Sequence, residues 1–395
     1  STGFLTVQSS IQDNGTAPVT LVIAGAYVSL NGSGPAAGTF PTNTYSGGTY
    51  ILQGRVSQAN PYSVGSGPIH IYPGGQMNLG WPITNFFDIE GTGTTENNGM
   101  GALRLYAALP NTATLPGTIY LRGNAAVCAD NDVNLSHLLG FSGKITGPGS
   151  LSFGSPTATS RSGILSIGST NGSFAIPNDY VGDTILNGIA GGTISTTLRI
   201  FDPADNNIMP HGGTGSFTNG PTGNLIFNAT AANRQAIFDL NGSTQTVNGV
   251  TSTAASPANN IITDNGLGTG SLILGDNNAS STFAGVIQTA VSIAKIGAGT
   301  ITLSGPNTYT GETVVQAGKL VTTTASVGNG NYSVSNSAAL GVTVANASQT
   351  LGINNLTLAA GSSLQLNAGS FGSPSTAIAN VAVALNISGT VDSRL

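Results

Sequence analysis

Residues 295–320 read KIGAGTITLSGPNTYTGETVVQAGKL, and the fold turns on how this stretch is understood. Ile301 and Leu303 alternate with Thr300, Thr302 and Ser304, the period-2 pattern of a strand with one apolar and one polar face. Gly305-Pro306-Asn307 then forces a turn, because proline lacks an amide donor and glycine and asparagine accept turn backbone. Residues 313–316 open a second strand. An isolated pair of strands is marginal in water, so such a unit makes sense as one course of a stack.

The stack shows as repetition. YTGET at 309–313 echoes YVGDT at 180–184 and YSGGT at 45–49. A second landmark precedes each of these, at Ile287, Ile145 and Ile11 in turn. Two landmarks in constant order, three times over, define three divergent modules of roughly 130 to 140 residues, with boundaries at 1–140, 141–282 and 283–395. Repetition of this kind predicts a solenoid whose core is buried between neighbouring courses. With about 20 residues per course there are roughly 20 courses, and at about 4.8 Å each they make a rod about 90 Å long.

The stretch 297–320 resembles the autotransporter-associated β-strand repeat, found in very large secreted passenger domains of bacteria. Residues 239–249 (DLNGSTQTVNG) and 281–288 (STFAGVIQ) are similar to other segments of the same proteins. The third module resembles the repeat closely, the first and second at their landmarks only. Residues 23–32 (IAGAYVSLNG) are recognisable, whereas an insertion separates Leu151-Ser152-Phe153 from Tyr180. The resemblance implies a right-handed parallel β-helix on the bacterial cell surface. It implies no chemistry and brings no catalytic residues. No segment resembles the translocator barrel with which autotransporters end.

Composition agrees with ordered β-structure. Charged residues are 6% of the 395, against a usual share of roughly 25%. Disordered chains are poor in apolar and β-branched residues, whereas hydrophobic residues reach 39% here and alternate. No helix of ordinary length is encoded, only a candidate turn at 134–139, while 109–116, bounded by prolines, reads as a loop. A net charge of −5, with Lys and Arg scattered, excludes a basic nucleic-acid-binding face. The single cysteine, Cys128, has no partner for an internal disulfide and reads as a small buried apolar residue. No run of 18 apolar residues is present to form a membrane-spanning helix. Neither end carries the polar cap of a free-standing solenoid, so the ends are expected to meet further chain or another subunit.

Chemistry has few candidates. Polysaccharide cleavage needs clustered carboxylates on one face. Asp202 and Asp205 lie near Arg199 and His211, Asp130 and Asp132 near Arg122 and His137, and Asp88 and Glu90 two apart on one strand. All of these residue types also suit solvated turns. The chain has no nucleophile elbow, metal-spaced histidine pair or phosphate loop. Neither catalysis nor a cofactor is therefore expected. Asp130-Asn131-Asp132 and Asp276-Asn277-Asn278 offer oxygen ligands for calcium without a calcium-repeat pattern. Trp81, Phe86 and Phe87, with Tyr62, Tyr72 and Tyr106 near them in sequence, are the candidates for a glycan or partner contact. Asn307, Asn354, Asn355 and Asn367 are placed at course corners, where stacked amides can form ladders. Asn-x-Ser triplets such as Asn241-Gly242-Ser243 follow from the composition and are weak glycosylation signals.

The expectation is a secreted structural shaft, fibre subunit or adhesin that associates with copies of itself, with a glycan-binding or glycan-degrading passenger as the alternative.

Overall fold

The computed structural model describes residues 4–30, 42–95, 99–105, 112–129, 138–154, 163–169, 176–188, 195–212, 222–230, 234–253, 256–266, 268–372, 374–390 and 392–394. Within them the regular structure is strand, apart from single 3₁₀ turns at Pro257–Asn259 and Gly369–Phe371. The strands pair in parallel throughout, and an isolated antiparallel bridge joins Asn14 to Ala17. The chain forms two compact units, Ser1–Phe201 and Asp202–Leu395. These describe packing, whereas the three sequence modules describe repetition, and the boundaries differ.

The second unit holds the deciding stretch. Ser292–Lys295, Thr313–Val315 and Tyr332–Val334 are neighbours in one sheet, while Thr300–Leu303, Lys319–Thr323 and Ala339–Thr343 are neighbours in another. Consecutive strands therefore alternate between sheets. Parallel strands cannot be joined by a tight hairpin and need a crossover; here each crossover contains a strand of the other sheet. Ile293 pairs with Thr313, and Ile301 with Leu320, which pairs in turn with Leu340. Ile301, Leu303, Val315, Leu320, Val334 and Leu340 are buried, and Thr300 and Thr302 lie at the half-exposed outside. Like stacks on like, so the core is a set of apolar columns running from course to course.

The first unit repeats the scheme with less regularity. Phe4–Val7, Leu21–Leu30, Thr49–Gln58, Ile69–Ile71, Phe87–Gly91, Ile119–Ala129, Leu151–Phe153 and Thr184–Gly188 follow one another across a sheet. Register shifts interrupt it near Ala24 and between Ile89 and Gly91. A second sheet carries Thr112–Leu115, Leu138–Phe141, Ile164–Ile167 and Thr196–Ile200.

Two sequence expectations change here. The proline-bounded 109–116 loop contains the strand Thr112–Leu115, because Ala113 and Leu115 alternate inward and are fully buried. Of the helical turn at 134–139, Leu138 and Leu139 belong to a strand and the remainder lies outside the described residues. The insertion before Tyr180 carries the strand Ile164–Ile167, paired on both sides, in keeping with the all-β reading.

Candidate functional site

The two sequence landmarks meet in space. Two residues before each landmark tyrosine stands an asparagine, giving Asn43, Asn178 and Asn307, all buried. Its side-chain oxygen accepts the backbone N–H of the landmark isoleucine: Ile11 to Asn43 at 2.7 Å, Ile145 to Asn178 at 2.7 Å, and Ile287 to Asn307 at 2.9 Å. The carbonyl of the same isoleucine accepts the amide following the asparagine, from Thr44, Asp179 and Thr308. The tyrosines are buried too, and their hydroxyls bond the threonine four residues on: Tyr45 with Thr49 at 2.6 Å, Tyr309 with Thr313 at 2.9 Å, and Tyr180 with Thr184 likewise. Burial pushes all three phenols above their ordinary value, so they remain neutral.

The invariant glycine between tyrosine and threonine has a steric cause. A methyl group on Gly47, Gly182 or Gly311 would come 2.7 Å from Val19 O, 2.6 Å from Ser150 N or 2.2 Å from Val291 O. Each clamp thus ties one course to the preceding one through a side-chain amide, a backbone bond and a contact that only glycine allows. A buried hydrogen bond of this kind contributes about 0.5–1.5 kcal/mol net, and orphaning one partner costs about 1–3 kcal/mol.

Lys295 opens the deciding stretch and is wholly buried. Its ammonium donates to the carbonyls of Ile296 at 2.6 Å, Gly297 at 2.8 Å and Ala317 at 3.1 Å. No ion pair to it is seen among the described residues. Burial therefore lowers its pKa from 10.5 to about 8. Three carbonyls from two successive courses converge on this one group, which makes Lys295 a staple between them.

The richest ionic chemistry lies on the outer face of the first unit. Segments 69–72 (IHIY), 87–90 (FDIE) and 119–122 (IYLR) alternate in the same phase. Ile69, Ile71, Phe87, Ile89, Ile119 and Leu121 point inward and are buried. The register pairs Tyr50 with His70, His70 with Asp88, and Asp88 with Tyr120, a ladder across four strands. Tyr50 and His70 stack with centroids 4.4 Å apart, and His70 Nδ1 lies 2.9 Å from Asp88 Oδ2. Arg122 Nη2 reaches the same Asp88 oxygen at 2.5 Å, lies over the Tyr72 ring at 4.2 Å, and its Nη1 stands 3.9 Å from Glu90.

The sequence candidates distribute as follows. Asp88 and Glu90 share a face as expected, but their partners are His70 and Arg122. Sequence proximity had instead grouped Arg122 with Asp130, Asp132 and His137, which lie outside the described residues. Phe87 fills the core with no exposed surface, while Phe86 is 42% exposed and Trp81 half-buried. Alternation separates these neighbours, and the trio does not form one surface. Tyr62 is exposed, and Tyr106 lies outside the described residues. Asp202 caps its own turn by accepting the Ala204 amide, Asp205 is buried, and His211 Nδ1 lies 2.9 Å from Asp276 Oδ2. Asn277 and Asn278 accept the amides of Ala279 and Ala298. Among the described residues no group of three or more His, Cys, Asp or Glu is placed to hold a metal.

Asn354 and Asn355 both donate to Asn331 Oδ1, at 3.0 and 2.9 Å, so an amide ladder exists at that corner. Asn307 departs from expectation: it is the buried clamp residue. Sequence reading found the tyrosine and isoleucine landmarks and missed the asparagine that joins them, although its constant place two residues before the tyrosine was a legible signal.

The family model of the passenger-associated-transport-repeat matches residues 39–57 and 293–321. The first region contains the clamp of Asn43, Tyr45 and Thr49; the second contains Lys295 and the clamp of Asn307, Tyr309 and Thr313. Neither the curated proteins nor the solved structures yield a match.

Proposed function

We propose that this chain, a passenger-associated-transport-repeat protein, is a right-handed parallel β-helix that acts mechanically as a shaft, fibre subunit or adhesin stalk on a bacterial surface. The observation that carries this reading is the threefold clamp, Asn43–Tyr45–Thr49, Asn178–Tyr180–Thr184 and Asn307–Tyr309–Thr313. Its buried polar groups are directed at the preceding course, at their own and at the following one, where Asn43 donates to Ser63 O and Asn307 to Ser326 Oγ, and its phenols are held neutral. That arrangement suits cohesion and offers no nucleophile or base.

The reading extends to self-association. Leu385 and Ile387 stand in register on Leu356 and Leu358, which are buried, yet they are 55% and 54% exposed. Leu5, paired with buried Val28, is 54% exposed. Exposed apolar side chains of this kind, on a chain in which only 6% of residues are charged, suit contact with another copy because little charge repels it.

Negative-stain electron microscopy and sedimentation of the purified chain test both parts. Narrow rods that lengthen with concentration are expected. Globular particles would overturn the shaft, and a strict monomer at high concentration would overturn the self-association alone.

A further inference from the structure

The turn that opens the second unit carries chemistry that neither cohesion nor self-association uses. Asp202-Pro203 is the one aspartate–proline bond in the chain. It falls one residue past the boundary between Ser1–Phe201 and Asp202–Leu395. The Asp205 amide donates to the Asp202 carbonyl at 3.0 Å, closing a tight turn with proline at its second position, where a fixed φ suits it. Asp202 Oδ1 accepts the Ala204 amide at 2.9 Å. To reach that amide the carboxylate folds back across the peptide that links Asp202 to Pro203. Pro203 and Ala204 are exposed and Asp202 is half-buried, so water reaches the bond.

We propose that the chain cleaves itself at this bond in mild acid. A carboxylate oxygen of Asp202 attacks the carbonyl carbon of its own residue. The bond from that carbon to the Pro203 nitrogen breaks, and the nitrogen takes a proton from solvent and leaves as a secondary amine. Asp202 is left as a five-membered cyclic anhydride. Water opens the anhydride, restoring the side-chain carboxyl and creating a terminal one, so the sum is one peptide bond hydrolysed by one water. The turn supplies two aids. It holds the nucleophile over the peptide, and the Asp205 amide already donates to the oxygen on which negative charge develops.

The surrounding charges leave this role to Asp202. Asp205 is buried, Arg199 stands on the strand leading into the turn, and His211 is paired with Asp276. Pro203 lies beside Gly242, whose amide, with those of Gly266 and Gly270, occupies buried Asp264. Each side of the bond is anchored separately. Phe201 donates to Ile167 O within the first unit, whereas Asn207 donates to Thr244 O, and Ile208 and Met209 to Gln245 Oε1, within the second. Cleavage therefore severs the covalent link between the units without undoing the strands of either. This inference does not rest on the mechanical reading.

The test is intact-mass spectrometry of the purified chain, held at the lowest pH at which circular dichroism shows it folded, beside the same chain in urea at that pH. Fragments 1–202 and 203–395 should accumulate. They should form about tenfold faster in the folded chain, because the turn holds the reacting groups together. Asp202→Asn keeps an acceptor for the Ala204 amide, so the turn survives, and should slow cleavage about tenfold by removing the carboxylate. Pro203→Ala keeps the carboxylate, offers a poorer leaving group and should slow it as well. Circular dichroism of both variants in the same buffer separates lost reactivity from lost structure. Absence of the two fragments, cleavage as fast in urea as in the folded chain, or cleavage undiminished in Asp202→Asn would each overturn the proposal.

Discussion

The courses between residues 281 and 343 and those between 49 and 129 follow the same inward alternation and differ on the outside. In the former, partners follow one another evenly, from Ile301 to Leu320 to Leu340, and the outward positions hold Thr300, Thr302 and Ser333. In the latter, Thr49, Ile69, Phe87 and Ile119 succeed one another at uneven intervals, and the outward positions hold histidine, tyrosine, arginine and carboxylates. The apolar columns fix the stacking in both. The difference teaches that the outer face and the loops are free to vary once every second side chain is committed inward.

The comparison can be broken most forcefully at the core. Phe87→Ala should destabilise the first unit by about 3–5 kcal/mol, while Phe86→Ala, one residue away, should stay within about 0.5 kcal/mol. Hydrogen exchange over 49–129 reads the two effects locally, which matters because repeat arrays do not always unfold as one. Equal effects would show that alternation does not govern the irregular region.

Next come the clamps. Asn307→Ala orphans the amide of buried Ile287 and should cost about 1–3 kcal/mol, while Asn43→Ala orphans that of part-buried Ile11 and should cost about 1 kcal/mol. The exchange of the Ile11 and Ile287 amides should accelerate in the matching variant only. If Asn307→Ala were felt and Asn43→Ala were not, the clamps would be alike in geometry and unequal in weight. Tyr309→Phe keeps the ring and removes the hydroxyl that bonds Thr313 and, at 3.4 Å, Tyr332, so a loss of about 1–2 kcal/mol is expected in thermal unfolding.

Last comes a pH dependence. Lys295 has a folded pKa near 8 against 10.5 in the open chain. Below pH 8 both states are protonated and the full penalty of burying the charge is present. Between pH 8 and 10.5 the unfolded chain holds more proton, so stability from this group rises with pH. The melting temperature of the wild type should therefore gain on that of Lys295→Met across this window, a comparison in which the titration of other groups cancels. A constant difference would mean that the ammonium is solvated.

Much of this architecture was legible. The period of two in 300–304 foretold strands, and the recurrence of Tyr-x-Gly-x-Thr foretold equivalent sites that prove to share one hydrogen bond. What alternation cannot reveal is register between distant strands, because it depends on how much chain each course diverts into loops. That is why Arg122 seemed to belong with Asp130 and Asp132, when uneven spacing sets it against Asp88. Likewise prolines at 110 and 116 masked a strand whose inward Ala113 and Leu115 outweigh them. Trp81, Phe86 and Phe87 were grouped by composition, and the pleat parts Phe86 from Phe87.

Because Ile293 sits directly beside Thr313 and offers its neighbours the same backbone groups, the chain in this region is graduated in whole steps. Excising residues 293–312 would leave Thr313 where Ile293 had been, with the columns resuming unbroken, whereas a cut one residue shorter or longer would have to be absorbed in a turn, as the 19- and 20-residue steps from Ile301 to Leu320 to Leu340 already are. Length here is quantised: such a molecule can be extended or trimmed only by the course, as a chain is by the link.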